Sequence, residues 1–198
     1  DGASYSTSNS LPTGFSVGSA QLKNGTTSHS SPLVYLDDDG TQYLIILEID
    51  GTDLYLNKYA YSGSSVTYDE TLATFDADSS NFEHHQIAMF ISNNFPMIVV
   101  GHADGVDIVN ASSADESDGE VSTTDTGAAY RVLVDSSDKI YVQAENGVYK
   151  FDSDLNISAS NTSVTSTTFS NRLPMVFFDS TLYLEVDNAV HSFSSSTL

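Results

Sequence analysis

The chain has 198 residues, enough for one domain with its own core, and sets 27 Asp and Glu against six Lys and Arg, for a net charge of −21. That balance excludes nucleic acid and anionic membrane surfaces as partners, because Lys23, Lys58, Arg131, Lys139, Lys150 and Arg172 are scattered and build no basic patch. The absence of cysteine excludes disulfides and thiolate metal sites, and no apolar run approaches the roughly 18 residues of a membrane helix, so direct membrane insertion is not expected.

Residues 1–13, DGASYSTSNSLPT, are small and polar and read as a flexible arm, followed by a single domain over 14–198. The chain begins at Asp1 rather than Met, as expected where a leader has been removed or the sequence trimmed. Phe15–Leu22 is a lone strand-like run. From there short apolar runs alternate with turn residues, and no stretch carries a convincing 3.6-residue period. First strands are predicted at Leu33–Leu36, Ile87–Ile91, Tyr130–Val134 and Pro174–Phe178. Second strands follow at Tyr43–Ile49, Met97–Val100, Ile140–Gln143 and Leu182–Val186, and third strands at Leu54–Tyr61, Val106–Asn110, Val148–Phe151 and Ala189–Phe193. Weaker outer strands are predicted at Val66–Phe75, Glu120–Thr124 and Ser163–Phe169.

Each second and third strand is joined by Asp50-Gly51, Asp104-Gly105, Asn146-Gly147 or Asp187-Asn188. Gly, Asn and Asp tolerate the positive φ that a two-residue hairpin needs, so these strands are antiparallel neighbours. The second turn residues stand at 51, 105, 147 and 188, in steps of 54, 42 and 41 residues, a period typical of blade repeats. Three or four strands per unit, four times over, resemble a β-propeller, and VDSSDKIYVQAENGVYKFDSDLN is the most blade-like segment. The resemblance is architectural: there is no Trp of a WD repeat, no Gly-Gly of kelch type and no paired cysteine of hemopexin type. The fourth unit stops after its third strand, while Phe15–Leu22 lacks a partner. The expected fold is therefore an all-β four-bladed β-propeller, closed by Phe15–Leu22 pairing beside Ala189–Phe193 to complete the last blade. The alternative is a β-sandwich or jelly roll.

Scarce Lys, abundant Asp and many Ser and Thr resemble the proteins of salt-in haloarchaea and their viruses. In molar salt the screening length shrinks to about 3 Å, so dense surface carboxylates repel each other little.

Clustered carboxylates are candidate ligands for Ca2+, a hard cation that takes oxygen ligands: Asp37, Asp38 and Asp39; Asp115 and Asp118 with Glu116 and Glu120; Asp152 and Asp154 with Asn156. None completes an EF-hand loop, and acids at this density cluster by chance. No cofactor is required, and loosely held Ca2+, Mg2+, Na+ or K+ is expected at surface carboxylates. Four N-x-S/T sequons, at Asn24, Asn110, Asn156 and Asn161, fall in predicted turns or loops and suit an exported protein. His84 and His85 follow Glu83 at the mouth of a first strand, yet neighbours on a strand point to opposite faces and cannot easily share one ion. Tyr59, Tyr61 and Tyr68 lie on the enlarged first unit, where a partner-binding patch competes with core packing.

No nucleophile elbow occurs. The expected function is a non-enzymatic, exported structural or binding module adapted to high salt. Its expected place is extracellular or on a virion surface, as a spike, turret or decoration, or in a cell envelope, contacting a partner protein or host glycan. Assembly with further copies of itself is compatible with that role. One alternative is a secreted propeller glycosidase using acids such as Asp39, Glu83, Asp135 and Asp179. Another is an adhesin domain of a longer chain.

Overall fold

The computed structural model describes residues 28–30, 32–37, 40–62, 65–77, 85–93, 95–112, 121–124, 126–164, 175–186, 189–194 and 198. Every described regular element is a β-strand, and the class is all-β. The strands form four small antiparallel sheets, each built from consecutive segments of chain.

The first sheet comprises β1 (Ser28–His29), β2 (Leu33–Leu36), β3 (Gln42–Asp50), β4 (Asp53–Tyr61) and β5 (Val66–Asp76). β1 and β2 pair with different parts of the same edge of β3, and Ser30 between them bonds Leu47. The second sheet is β6 (Ile87–Ser92), β7 (Phe95–His102), β8 (Gly105–Asn110) and β9 (Val121–Thr124). The third is β10 (Ala129–Val134), β11 (Ile140–Ala144), β12 (Gly147–Phe151) and β13 (Ile157–Asn161). The fourth is β14 (Val176–Phe178), β15 (Thr181–Val186) and β16 (Ala189–Ser194).

Sheets this small bury their faces against one another. Ile98 and Val100 of β7 pack with Leu47, Leu54 and Leu56 of the first sheet, while Val99 between them packs with Ile140 and Val142 of the third. Tyr141 and Val148 of the third sheet pack in turn with Leu182 and Leu184 of the fourth. The two middle sheets are thus covered on both faces, which is why MIVV and IYV read as continuous apolar runs rather than alternating ones. The first and second sheets are also tied at two places by hydrogen bonds. The Tyr35 hydroxyl donates to the Ala111 carbonyl at one end of the first pair, and Ala103 N–H donates to the Asp76 carbonyl at the other.

The register corrects the predicted turns. The second-to-third loops are Gly51-Thr52, Ala103-Asp104, Glu145-Asn146 and residues 187–188, each one residue off the expected pair except the last. Their second residues stand at 52, 104, 146 and 188, so the repeat is more regular than the Gly positions suggested. Gly147 opens a return strand instead, at φ 146°, where a Cβ would lie 2.7 Å from the Asn161 carbonyl oxygen. The outer strand of the third sheet is Ile157–Asn161, and most of the predicted strand Ser163–Phe169, from 165 on, lies outside the described residues. In ISASN one face is exposed and the other only half-buried, through Ala159 and Asn161, so its backbone ladder to β12 chiefly makes it a strand and no apolar alternation announces it. The predicted arm, the strand Phe15–Leu22 and its pairing lie outside the described residues.

The second and third sheets approach closely at Gly101, where a Cβ would stand 2.7 Å from the Ala129 carbonyl oxygen. Gly101→Ala is therefore expected to lower Tm by roughly 5 °C. Gly51→Asn, in an open turn at φ 65° that Asn tolerates, should leave Tm nearly unchanged. Equal effects in thermal melts would contradict this account of the junction.

Candidate functional site

Polar side chains enter the interior in a few places, and each is tied to a neighbour. Arg131 on β10 is almost fully buried at the junction of the third and fourth sheets. Its Nη1 donates to Gln143 Oε1 at 2.6 Å and to the Glu185 carbonyl at 3.2 Å, and Nη2 lies 3.9 Å from Glu185 Oε2. Gln143 Nε2 donates to the same carbonyl at 3.3 Å. Burial lowers the Arg131 pKa, and the Glu185 charge partly restores it. Desolvated charge is tolerable only when paired and hydrogen-bonded in this way.

Within the first sheet Lys58 is also buried. Its Nζ donates to Glu70 Oε1 at 2.9 Å, stands 3.8 Å from Asp69 and sits 4.5 Å from the centre of the Tyr43 ring. Burial pulls its pKa down, but the bond to Glu70 and the surrounding charges hold it above the ordinary lysine value. The Tyr59 hydroxyl donates to the Glu48 carboxylate, both fully buried. His85 is buried, donates from Nδ1 to the Ala129 carbonyl at 2.7 Å and stacks on Tyr130, so it fastens the second sheet to the third. His102 accepts the Asp104 N–H on Nδ1, which leaves the proton on Nε2, 3.3 Å from Asp107 Oδ2. The ring stacks on Phe75 of the first sheet.

The acidic clusters have a second, local role. Asp37–Thr41, Asp135–Lys139 and Asp152–Asn156 are copies of one loop. In each the first Asp N–H donates to the carbonyl four residues on, and the fourth residue donates back to the Asp carbonyl. The fourth residue has positive φ: Gly40 85°, Asp138 56° and Leu155 57°. Asp135 Oδ1 accepts the N–H groups of Ser137 and Lys139, and its Oδ2 accepts the Tyr141 hydroxyl at 3.2 Å. Asp152 Oδ1 accepts those of Asp154 and Asn156, together with the Asn156 amide. The Asn156 N–H bond above all holds the Asp152 pKa below the ordinary aspartate value. Burial, then the negative Asp135, push the Tyr141 phenol up to about 12. These acids act as turn formers.

The remaining candidates divide. Among the described residues no three His, Asp or Glu side chains converge as a metal-ion cluster. Asp38, Asp39, Glu83, His84, Asp115, Asp118 and Asn24 lie outside the described residues. Asn110 and Asn161 are the last residues of β8 and β13 rather than loop residues, and each amide oxygen accepts the hydroxyl of its own sequon Ser at 2.6 Å. Asn156 lies in the Asp152 loop. Tyr59 is buried on Glu48 and is no part of a surface patch, a correction that follows from its phenol being taken inward. Tyr68 is exposed, and Tyr61 lines an apolar groove of about 170 Å³ with Val34, Gln42, Leu44 and Val66.

The sequence matches no protein-family model, and no curated protein matches it. Among solved structures it is similar to a protein of unknown function from Bacteroides caccae, at 8% identity and a TM-score of 0.40, over 76% of this chain and 53% of that one. The chain thus spans about half the length of that protein.

Removing Arg131 alone strands Gln143 and Glu185 in the interior, so Arg131→Met is expected to cost about 3–5 kcal/mol in denaturant unfolding. Arg131→Met combined with Glu185→Leu should cost less than the single change. A double variant less stable than the single one would contradict the pairing.

Proposed function

We propose that the protein is a non-enzymatic, exported binding module of a high-salt setting, at a virion surface or cell envelope, contacting a partner protein or host glycan. Its four sheets act as the blades of a four-bladed β-propeller, with Phe15–Leu22 completing the last blade beside β16. The ring is supported by the order of the sheets, by their serial face-to-face packing and by the fourth sheet's having three described strands where the others have four or five.

The observation that carries the high-salt reading is where the charges sit. Among the described residues the buried charges are Lys58 and Arg131 against Glu48, Asp107 and Glu185, so the solvent-facing surface keeps nearly all of the net charge of −21. Surface carboxylates without counter-charges repel at low ionic strength and are screened in molar salt. The buried pairs are screened far less and hold in either condition. A binding role is supported by the employment of the interior polar groups in joining strands and sheets. The glycosidase reading loses ground at Asp135, whose carboxylate accepts two backbone N–H groups and a phenol.

Circular dichroism melts across a KCl series test the setting. The folded spectrum and Tm are expected to rise steadily into the molar range, and a Tm independent of salt would overturn it. A glycan array read for both retention and cleavage tests the role: cleavage would replace the binding module with an enzyme.

A further inference from the structure

Three of the four sequons lie among the described residues, and their side chains are held in two different ways. At Asn161 the amide oxygen accepts the Ser163 N–H at 3.1 Å and the Ser163 hydroxyl at 2.6 Å. At Asn110 it accepts the same two groups of Ser112, at 2.9 and 2.6 Å. At Asn156 the amide nitrogen is engaged instead: Nδ2 donates to Asp152 Oδ1 at 3.2 Å and to Oδ2 at 3.1 Å. The hydroxyl of that sequon, on Ser158, is turned away to the Lys150 carbonyl at 3.1 Å.

The amide nitrogen is the atom to which a sugar is joined at a sequon. Transfer forms a bond from Nδ2 to the anomeric carbon and breaks the bond between that carbon and a phosphate oxygen of the donor. The phosphate leaves with the electron pair, and the Nδ2 proton goes to a base of the transferase. Two donors on the amide oxygen draw charge onto it and ease the loss of that proton. A nitrogen already donating to a carboxylate is withheld from the same reaction.

The backbone separates Asn161 from Asn110. Ala111, the middle residue of the Asn110 sequon, is fully buried. Its N–H donates to the Pro96 carbonyl and its own carbonyl accepts the Tyr35 hydroxyl, so this sequon is built into the junction of the first and second sheets. Asn161 instead ends β13, the outermost strand of the third sheet, and Thr162 and Ser163 beyond it are exposed. That strand also has a use for a bulky polar group. Among the described residues its outer edge is unpaired, and ISASN carries neither charge nor proline, whereas β5, the outermost strand of the first sheet, carries Asp69 and Glu70. A bare edge invites pairing with another chain.

We propose that Asn161 is a site of N-linked glycosylation, taking a sugar from a phosphate-activated donor, and that Asn110 and Asn156 are withheld in the folded chain. The sugar stands at the end of the β13 edge and hinders pairing there. Its natural use rests on the exported reading, which brings the chain to a glycosylating compartment or surface.

A soluble asparagine glycosyltransferase with UDP-glucose tests the site on the full chain, in a buffer where circular dichroism shows it folded. Peptide mapping by mass spectrometry is expected to find glucose at Asn161 and not at Asn110 or Asn156. The peptide of residues 154–165, which lacks Asp152, is expected to accept glucose at Asn156 and Asn161 alike in the same buffer. Asp152→Ala in the full chain should raise occupancy at Asn156 several-fold. No glucose at Asn161, equal occupancy at Asn110 or Asn156, a peptide selective for Asn161, or an Asn156 indifferent to Asp152→Ala would each overturn the proposal. Because the assay supplies both transferase and donor, its failure falls on this site and not on the exported reading. A chain modified at Asn161 whose Tm ignores salt would keep the site and lose the high-salt setting.

Discussion

A sheet of three to five short strands cannot bury its own faces, and the rest of the structure follows from that constraint. Each sheet must be covered by a neighbour, so consecutive residues of one strand serve two different cores: Ile98 and Val100 face the first sheet, and Val99 faces the third. The chain meets the demand serially, each unit packing on the one before it. Close approach follows, and Gly101 is required where the Ala129 carbonyl leaves no room for a Cβ. The outer face of the fourth sheet leaves Val176, Phe178, Tyr183 and Val190 exposed, whereas on the first sheet Glu48, Asn57 and Tyr59 are buried and the exposed large side chains are Val34, Leu36 and Tyr68.

Charge is distributed by the same logic. Two cations are buried among the described residues, Lys58 beside the half-buried Glu70 and Arg131 beside Glu185, while most of the 27 acids are left to the surface. Interior pairs lie in a medium that salt barely reaches, whereas the surface depends on it. Histidine also joins sheets: His85 links the second to the third by a hydrogen bond and stacking, and His102 touches the first by stacking on Phe75.

Much of this was legible in the sequence. The second and third strands were readable because they are rich in apolar and β-branched residues and bounded by Gly, Asn and Asp. β13 was not, because Ile157–Asn161 is held chiefly by its backbone ladder to β12 and carries no large buried apolar side chain. The clusters at Asp37 and Asp152 looked like oxygen ligands, and Asp135 like a catalytic acid, because carboxylate chemistry is the same for a cation, a proton or a row of N–H groups. The spacing of the loop, an Asp with a positive-φ residue three positions on, was the signal that separated them. The buried state of Arg131 had no local signature, since its partner Glu185 lies 54 residues away and only the docking of two sheets brings them together.

The central claim is that the four sheets close into one ring completed by the chain's own N-terminal run. Amide hydrogen exchange in molar KCl tests it directly by comparing the full chain with a chain lacking residues 1–22. The account predicts slow exchange at Phe15–Leu22 and along β16 in the full chain, with β16 amides becoming fast when the N-terminal run is removed. Fast exchange at Phe15–Leu22 in the full chain, or β16 protection indifferent to its removal, would contradict it.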